Sequence, residues 1–301
     1  MATESTGLPT TLTRADRIER VPFGDRWLMD AWEMFPVPAG FGLALADMTQ
    51  VNRALRILRN AKIPATFPHL IVRAVGICFA LYPGRLQLIC NYRRLIPGSI
   101  NVGLSMAGQT TYAPVVVIPA VDQKPLAVLI PDIIEAIDAA AAREGNDIAA
   151  LRRFVVPFRF IRRWLLRILS RSLEFRTRIV GHFQVTCVTN ADIAIPFLFY
   201  SSAIISAGAI RDRVIAVDGQ PVVRPTVWLG GVGDHVAADG QTGADALSFI
   251  KYVLESDMLV KEAEEAAALK ASKAAMGGQS GDPRLAAPKA PVSEGPQDGA
   301  G

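Results

Sequence analysis

The order of its apolar segments most limits how this chain can fold, because strand-like runs are mixed with runs at helical spacing. Residues 41–47 alternate like a strand, and residues 48–59 place their apolar side chains three and four apart. Further strand-like runs centre on Asn101, Val115, Phe183, Ile204, Val214, Val222 and Val227, and further helical patterns cover residues 67–82, 130–143 and 242–254. This mixture predicts an α/β protein, a two-layer sandwich of a mixed sheet and covering helices.

Composition predicts one large folded domain with polar ends. Half of the 301 residues are apolar, which is enough for a single large core. We expect a flexible arm at residues 1–16, without the apolar stretch of a secretory signal, and a folded domain at residues 17–256. Residues 257–301 predict a polar, largely disordered tail that begins with a weak solvated helix at residues 261–276.

Two further features bear on the cellular compartment. Cys78, Cys90 and Cys187 are an odd number without metal-site spacing, so they predict free thiols in a reducing cytoplasm. Residues 193–210 carry no charged side chain, which is compatible with a membrane span. The proline and serines within this stretch favour a loop that leads into a buried strand instead.

The first candidate for chemistry is His235, which follows the strand-like run 225–231 and precedes Asp239 and Gly240 by four residues. An imidazole titrates near neutral pH and suits a general base, while an Asp-Gly pair suits a tight turn. The alternative is a histidine that only satisfies the turn. His69 and His182 lack metal-pair spacing with His235, so we interpret them as structural and predict no metal site.

Several segments, taken in chain order from about Arg17 to Ser256, strengthen this hypothesis. They are residues 66–75, 100–105, 113–120, 181–186 and 202–211, followed by the Asp218-Gly219 turn and the His235 motif. Together they resemble the catalytic domain of the dihydrolipoamide acyltransferases of 2-oxoacid dehydrogenase complexes, relatives of chloramphenicol acetyltransferase in the CoA-dependent acyltransferase superfamily. The resemblance implies a chloramphenicol acetyltransferase-like fold.

The resemblance also implies roles for four residues. His235 would take the proton from the attacking thiol, and the hydroxyl of Thr186 would donate to the oxyanion of the tetrahedral intermediate. Asp239 would be a buried turn carboxylate that pairs with Arg26, so its role would be architectural. The alternative for Thr186 is an ordinary strand residue. Val236 stands where the family usually has arginine, which puts the native substrates in doubt more than the fold.

The resemblance implies coenzyme A as substrate or product and a homotrimer, with His235 of one chain facing Thr186 of the next. A larger cage stays open. No lipoyl-lysine domain is recognised ahead of the matched region, so lipoate would take part only if another chain supplied it. The donor would otherwise be an acyl-CoA, and the acceptor some other thiol, alcohol or amine.

An arginine-rich helical insertion at about residues 146–179 is not explained by the resemblance. Residues 151–178 contain nine arginines and one acidic residue, Glu174. Apolar residues after Pro157 recur at helical spacing, with arginines on the other side. This pattern predicts a cationic amphipathic helix that contacts a membrane interface or an acidic partner. The predicted contact residues are Arg159, Arg162, Arg163, Trp164 and Arg167. The alternative is a surface helix over the sheet, and nucleic acid is disfavoured because no binding module is recognised.

Three functions therefore compete. The first is a CoA-dependent acyltransferase in the cytoplasm, either free or peripheral to a membrane. The second is a noncatalytic scaffold or assembly protein of the same fold that binds through its arginine-rich helix. The third and weaker one is amide or ester formation, as in related condensation domains, although those usually carry a second histidine where this chain has Asp234.

Overall fold

One mixed sheet organises the described part of the chain. A computed structural model describes Asp30, Leu86 and residues 39–81, 88–90, 93–106, 115–142 and 157–277. The strands are β1 (Ala39–Asp47), β2 (Leu88–Cys90), β3 (Arg93–Leu95), β4 (Val102–Ser105), β5 (Val115–Ile118), β6 (Phe183–Cys187), β7 (Ala203–Ala207), β8 (Arg211–Val217) and β9 (Gln220–Asp234). Seven of them form a sheet in the order β1-β9-β7-β6-β4-β5, with β8 also paired to β9, while β2 and β3 pair separately. Strands β4, β6 and β7 run parallel, and the other pairs in the large sheet are antiparallel.

The described residues form seven α-helices, most of which pack on one face of this sheet. They are α1 (Thr49–Asn60), α2 (Phe67–Ala80), α3 (Leu126–Ala142), α4 (Arg159–Leu169), α5 (Leu173–Val180), α6 (Gly240–Glu255) and α7 (Met258–Gly277). The rings of Phe79 on α2 and Phe183 on β6 stack with centroids 3.5 Å apart. Buried side chains of α1, α2, α3 and α6 join those of the central strands in one apolar cluster. The architecture confirms the predicted two-layer α/β sandwich with a mixed sheet.

Local sequence explains where several elements begin and end. Helix α2 starts with a capping box between Thr66 and His69 and has a proline in its first turn, as helix N-termini favour. Asp218 and Gly219 both have positive φ, 50° and 77°, which a two-residue type I′ hairpin turn requires. The predicted turn is therefore present, but the runs near Val222 and Val227 form one long strand, β9, rather than two.

The C-terminal helix α7 differs from the solvated helix that its composition suggested. Four of its small or aliphatic residues are buried against the core: Leu259, Val260, Ala263 and Ala266. Glu262 accepts hydrogen bonds from Arg73 Nε and Nη2 at 2.8–3.1 Å, so this acidic residue also faces inward. Alanine gives a weak apolar signal in a helix rich in Glu and Lys, which explains why the buried side is hard to see in the sequence.

The uncharged stretch 193–210 forms a loop followed by β7, as the favoured interpretation predicted. Among the described residues, no helix has both the length and the apolar character needed to cross a bilayer. The arm at residues 1–16, Arg26 and residues 278–301 lie outside the described residues.

Candidate active site

The His235 turn is held by the residue that precedes it. Asp234 ends β9 with 7% of its surface exposed, and its Oδ1 accepts a hydrogen bond of 2.9 Å from the backbone N–H of Val236. Its backbone carbonyl accepts from Ala237 and Ala238, and its own N–H donates to Ser202. A side chain that accepts from the backbone two residues ahead forms an Asx turn. This role of Asp234 was not predicted from the sequence, although an aspartate at the start of a turn often indicates an Asx turn.

His235 itself is exposed at this turn, immediately after the last strand residue. A Cβ atom built on Gly40 of β1 would lie 3.9 Å from His235 Cδ2, so the ring lies over the end of β1. Among the described residues, no protein group is hydrogen-bonded to the His235 imidazole, and a substrate could therefore reach its nitrogen atoms. The position is compatible with the predicted general base.

Asp239 differs from its predicted environment, because its side chain is exposed rather than buried. It is the N-cap of α6, where its Oδ1 accepts a hydrogen bond of 2.8 Å from the backbone N–H of Thr242. An aspartate at this position satisfies an N–H that has no partner within the helix and interacts favourably with the helix dipole. The predicted pairing with Arg26 remains a prediction, since Arg26 lies outside the described residues.

Thr186 lies in the sheet interior rather than beside His235. It is aligned with Ser105 of β4 on one side and with Ser206 of β7 on the other. Ring stacking directs Phe183 toward α2, so the alternation of β6 directs Thr186 to the opposite face of the sheet, away from α2. The hydroxyl of Ser206 donates to the carbonyl of Ala194. The row of three hydroxyl residues was not foreseen, since only strand pairing brings them together.

Within one chain, Thr186 and His235 are far apart. Thr186 of β6 is aligned with Ser206, near the C-terminal end of β7. Gly233 of β9 is aligned with Ala203, the first residue of β7, and His235 follows two residues after Gly233. The two candidates therefore lie toward opposite ends of β7. Strands rise about 3.3 Å per residue and lie about 4.8 Å apart, so the two residues are separated by about 18 Å. A general base must come within hydrogen-bond reach of the reacting group. A single chain therefore does not bring these two candidates to one substrate atom.

A cavity opens beside His235 between the sheet and α6. Its volume is about 160 Å³. One end is bordered by Asp234, His235 and Asp239, and the interior is formed by apolar residues and glycines. The candidate base is thus at the polar end of an apolar cavity, an arrangement typical of small-molecule sites.

The other two histidines have structural partners. His69 Nδ1 accepts from the backbone N–H of Thr66 at 3.1 Å, and His182 Nδ1 accepts from that of Asn101 at 2.9 Å. Burial lowers the pKa of both imidazoles below the ordinary value. Within the part of the chain that the structure describes, no cluster of three or more His, Cys, Asp or Glu side chains could hold a metal ion.

Two free thiols belong to the central elements, Cys78, which is buried, and Cys187, which is partly buried. Cys187 follows Thr186 in β6, and burial raises its pKa to about 12. Cys78 on α2 has its pKa raised to about 12 by the same cause. A thiol is a poor nucleophile when its pKa lies far above the ambient pH. Neither cysteine is therefore suited to covalent catalysis, and both are free thiols as the sequence suggested.

Helix α4 turns part of its arginine-rich side inward, although Arg159 remains 59% exposed. Arg159, Arg162 and Arg163 place their Nε atoms 3.0, 3.0 and 3.1 Å from the carboxylate of Asp30. Arg162 is only 3% exposed, so its assignment as a contact residue for a membrane or partner is wrong. The cause is Asp30, which lies far away in sequence and attracts three cations to one buried carboxylate.

The outer side of α4 is consequently apolar. Phe160 and Trp164 are 69% and 63% exposed, and Ile161 and Ile168 are also exposed. Arg167 lies among them at the surface. The predicted contacts Arg159, Trp164 and Arg167 therefore remain accessible.

Comparisons with known proteins agree with this architecture. No family model and no curated protein matches the chain. A dihydrolipoamide acetyltransferase from Azotobacter vinelandii matches with a TM-score of 0.63 and 16% identity, covering 84% of this chain and 98% of that one. The cubic core of a pyruvate dehydrogenase multienzyme complex matches with a TM-score of 0.60 and 17% identity, covering 84% and 98%.

A third match is a truncated catalytic core of the 2-oxoacid dehydrogenase multienzyme complex from Thermoplasma acidophilum. Its TM-score is 0.57 at 17% identity, and the match covers 80% of this chain and 99% of that one. The chain therefore has the fold of an acyltransferase catalytic core. More narrowly, its fold is that of the dihydrolipoamide acyltransferase cores of 2-oxoacid dehydrogenase complexes, which confirms the resemblance seen in the sequence.

Proposed function

We propose that this protein is a CoA-dependent acyltransferase in which His235 is the general base. The observation that carries the proposal is the position of His235, exposed on a turn anchored by Asp234 at the polar end of an apolar cavity. The acyltransferase fold supports it, because a solved core with this fold is a dihydrolipoamide acetyltransferase. Coenzyme A is the substrate or product, and lipoate takes part if another chain supplies it.

The reaction begins when His235 takes the proton from the acceptor thiol, alcohol or amine. The acceptor then attacks the thioester carbonyl carbon, and the carbonyl electron pair moves onto oxygen. Collapse of this tetrahedral intermediate reforms the carbonyl and breaks the carbon–sulfur bond, and the imidazolium returns its proton to the departing thiolate. A donor to the oxyanion lowers the barrier by about 3 kcal/mol in comparable sites.

Thr186 is the proposed oxyanion donor, contributed by a neighbouring copy of the chain. The separation of about 18 Å within one chain supports this arrangement, because Thr186 and His235 reach a common substrate only across an interface. Exposed apolar side chains on the face of the sheet that carries Thr186 also support self-association. Phe41 and Leu43 of β1 are 71% and 43% exposed there. We propose a homotrimer, which could join into a larger cage.

The first experiment compares His235→Ala with Val236→Ala. Val236 is an exposed neighbour in the same turn, so its replacement controls for changes in the turn itself. Removing a general base lowers kcat by about 10²- to 10⁴-fold, so acyl-CoA turnover should collapse in His235→Ala and persist in Val236→Ala. Sedimentation should show the same assembly in both. Equal turnover in His235→Ala and the unchanged protein would contradict the proposal.

A second candidate function is a noncatalytic scaffold that lies on a membrane surface through α4. The exposed Phe160 and Trp164, together with exposed Arg167 and Arg171, favour it. Aromatic side chains insert at the headgroup boundary and arginines attract anionic lipid. An apolar outer face favours lipid over an acidic protein partner.

Vesicle co-sedimentation tests this second function. Binding to vesicles that contain phosphatidylserine should fall when Phe160 and Trp164 are both replaced by serine, and should be weak with phosphatidylcholine alone. Phe197→Ser is the control, because Phe197 is 92% exposed but does not belong to α4. Equal binding by the double variant and the unchanged protein would exclude α4 as the membrane contact.

A further inference from the structure

The cavity beside His235 exists because two strands lack side chains at the same place. In the register of β1 and β9, Gly40 lies opposite Gly233 and Gly42 lies opposite Gly231. Both pairs lie on the same face of the sheet and follow one another along the strands. These two strands therefore carry no side chains on that face over this area. Glycine inside a strand weakens the sheet and often marks a site where a ligand approaches closely. His235 follows directly at the end of this glycine floor.

The opposite wall is apolar and belongs to the helical layer. A Cβ atom built on Gly42 or Gly231 would lie 3.5 Å from a methyl group of Leu247 on α6, so Leu247 faces the glycine floor. Phe79, Leu86 and Ile205 complete the apolar interior. Among the described residues that line the cavity, there is no lysine or arginine. The charged residues among the described lining, Asp234 and Asp239, are acidic and lie at the His235 end.

The dimensions limit what this space can hold. An apolar cavity of about 150 Å³ accepts a ligand with roughly six carbon atoms, and this one has a volume of about 160 Å³. None of the described lining residues is a lysine or arginine that could pair with a buried carboxylate, and an unpaired buried carboxylate is costly. An uncharged aliphatic chain of four to six carbons therefore fits the volume and the polarity.

We propose that this cavity is the acyl-chain subsite and that the protein selects aliphatic acyl groups of about four to six carbons over acetyl and over dicarboxylic acyl groups. This inference rests on the proposed acyltransferase function and specifies its substrate class. The thioester carbonyl lies at the His235 end, and the chain extends over Gly40 and Gly233, where a built Cβ meets no atom of the helical layer within 4 Å. The chain-length limit is set by Leu247, which packs on Gly42 and Gly231 at the inner end of the glycine floor.

Calorimetric titration of the full-length protein with CoA thioesters, without acceptor, tests the subsite. Burial of one methylene contributes about 0.8 kcal/mol, which corresponds to about fourfold in Kd. Affinity should therefore rise by about fourfold per methylene from acetyl-CoA to hexanoyl-CoA and level off at octanoyl-CoA. Butyryl-CoA and succinyl-CoA have equally long chains, and succinyl-CoA should bind at least about tenfold more weakly because its carboxylate is buried.

Glycine-to-alanine variants locate the effect in the cavity. A Cβ on Gly231 would lie 3.5 Å from Leu247 and 3.6 Å from Ile205, which is ordinary contact, so Gly231→Ala should fold and narrow the space. We expect Gly231→Ala to raise the Kd of hexanoyl-CoA about fourfold and to leave the Kd of acetyl-CoA unchanged. Gly98→Ala is the matched control, because no atom lies within 4 Å of the added methyl and Gly98 is remote from the cavity.

The outcomes separate this inference from the proposed function. A flat chain-length series, or equal effects of Gly231→Ala and Gly98→Ala, overturns the subsite even when acyl-CoA is turned over. Chain-length-dependent binding that Gly231→Ala weakens, together with no turnover, supports the subsite and overturns acyl transfer. Tighter binding of succinyl-CoA than butyryl-CoA overturns the proposed substrate class.

Discussion

Thr186 and His235 lie near opposite ends of strand β7 within one chain, separated by about 18 Å when strand rise and strand spacing are combined. Both residues were identified from the sequence as candidates for one active site. Their separation shows why the assembly matters for the proposed mechanism, since neither residue can act on the other's substrate unless two copies meet.

The first prediction is complementation between two inactive variants. In a shared site, oligomers formed from equal amounts of His235→Ala and Thr186→Ala contain some interfaces with both native residues. Random mixing in a cyclic homo-oligomer gives about a quarter of such sites, so co-refolded mixtures should recover about that fraction of acyl-CoA turnover. A mixture that stays as inactive as its two components would show that the residues do not share a site across subunits.

The second prediction concerns Asp234 as a positioning residue. Asp234→Asn keeps a side-chain oxygen that can accept from the N–H of Val236, whereas Asp234→Ala removes it. We expect Asp234→Ala to lower kcat by about tenfold or more with little change in KM, because a misplaced base costs transition-state stabilisation. Asp234→Asn should retain most of the activity. Steady-state kinetics distinguish this from a purely structural role, in which both variants would lose stability without a selective loss of kcat.

The third prediction is a pH dependence of stability. Burial lowers the pKa of His69 and His182 in the folded protein, so the unfolded chain binds more protons just below the ordinary histidine pKa of about 6.5. The free energy of unfolding should therefore fall as pH decreases below about 6.5 and stop falling once the folded pKa is passed. Urea titrations at pH 7.5 and 5.5 measure the effect. His182→Asn should reduce the difference between the two values, and an unchanged difference would contradict the assignment.

The fourth prediction concerns the carboxylate that gathers the arginines of α4. Asp30→Asn would remove the negative charge 3.0 Å from Nε of the buried Arg162, and breaking a buried ion pair costs about 3–5 kcal/mol. Asp192 is the control, because it also bridges two arginines, Arg211 and Arg213, but lies at the surface. Asp192→Asn should cost far less, since exposed ion pairs are screened by water. Chemical denaturation of both variants makes the comparison, and equal losses would contradict the burial argument.

Strand and helix assignments followed from local pattern. Periodicity located β1, α1, α2 and α6, and the Asp218-Gly219 dipeptide located the hairpin between β8 and β9. These features depend on residues close together in the chain, where spacing decides which face is buried. The fold class was accessible for the same reason, because the order of the elements restricts the possible topologies.

Features that depend on residues far apart in the chain were harder to predict from the sequence. The burial of Arg162 in α4 was missed because Asp30, its partner, lies more than a hundred residues earlier in the chain. The cavity was missed because its floor needs Gly40 and Gly42 to lie opposite Gly233 and Gly231, a register that no local pattern specifies. His235 could be identified from its motif, whereas its surroundings required the assembled sheet.

Strand β9 extends without a break from the hairpin turn to Asp234 and pairs with β1, β7 and β8. Its central amides are therefore enclosed by strands on both sides, a situation in which hydrogen exchange requires unfolding of the whole unit. The imidazole that follows it is thus attached to a strand that is paired on both sides. Any motion that accompanies turnover should come from the surrounding segments and from neighbouring copies, while the base itself stays in place.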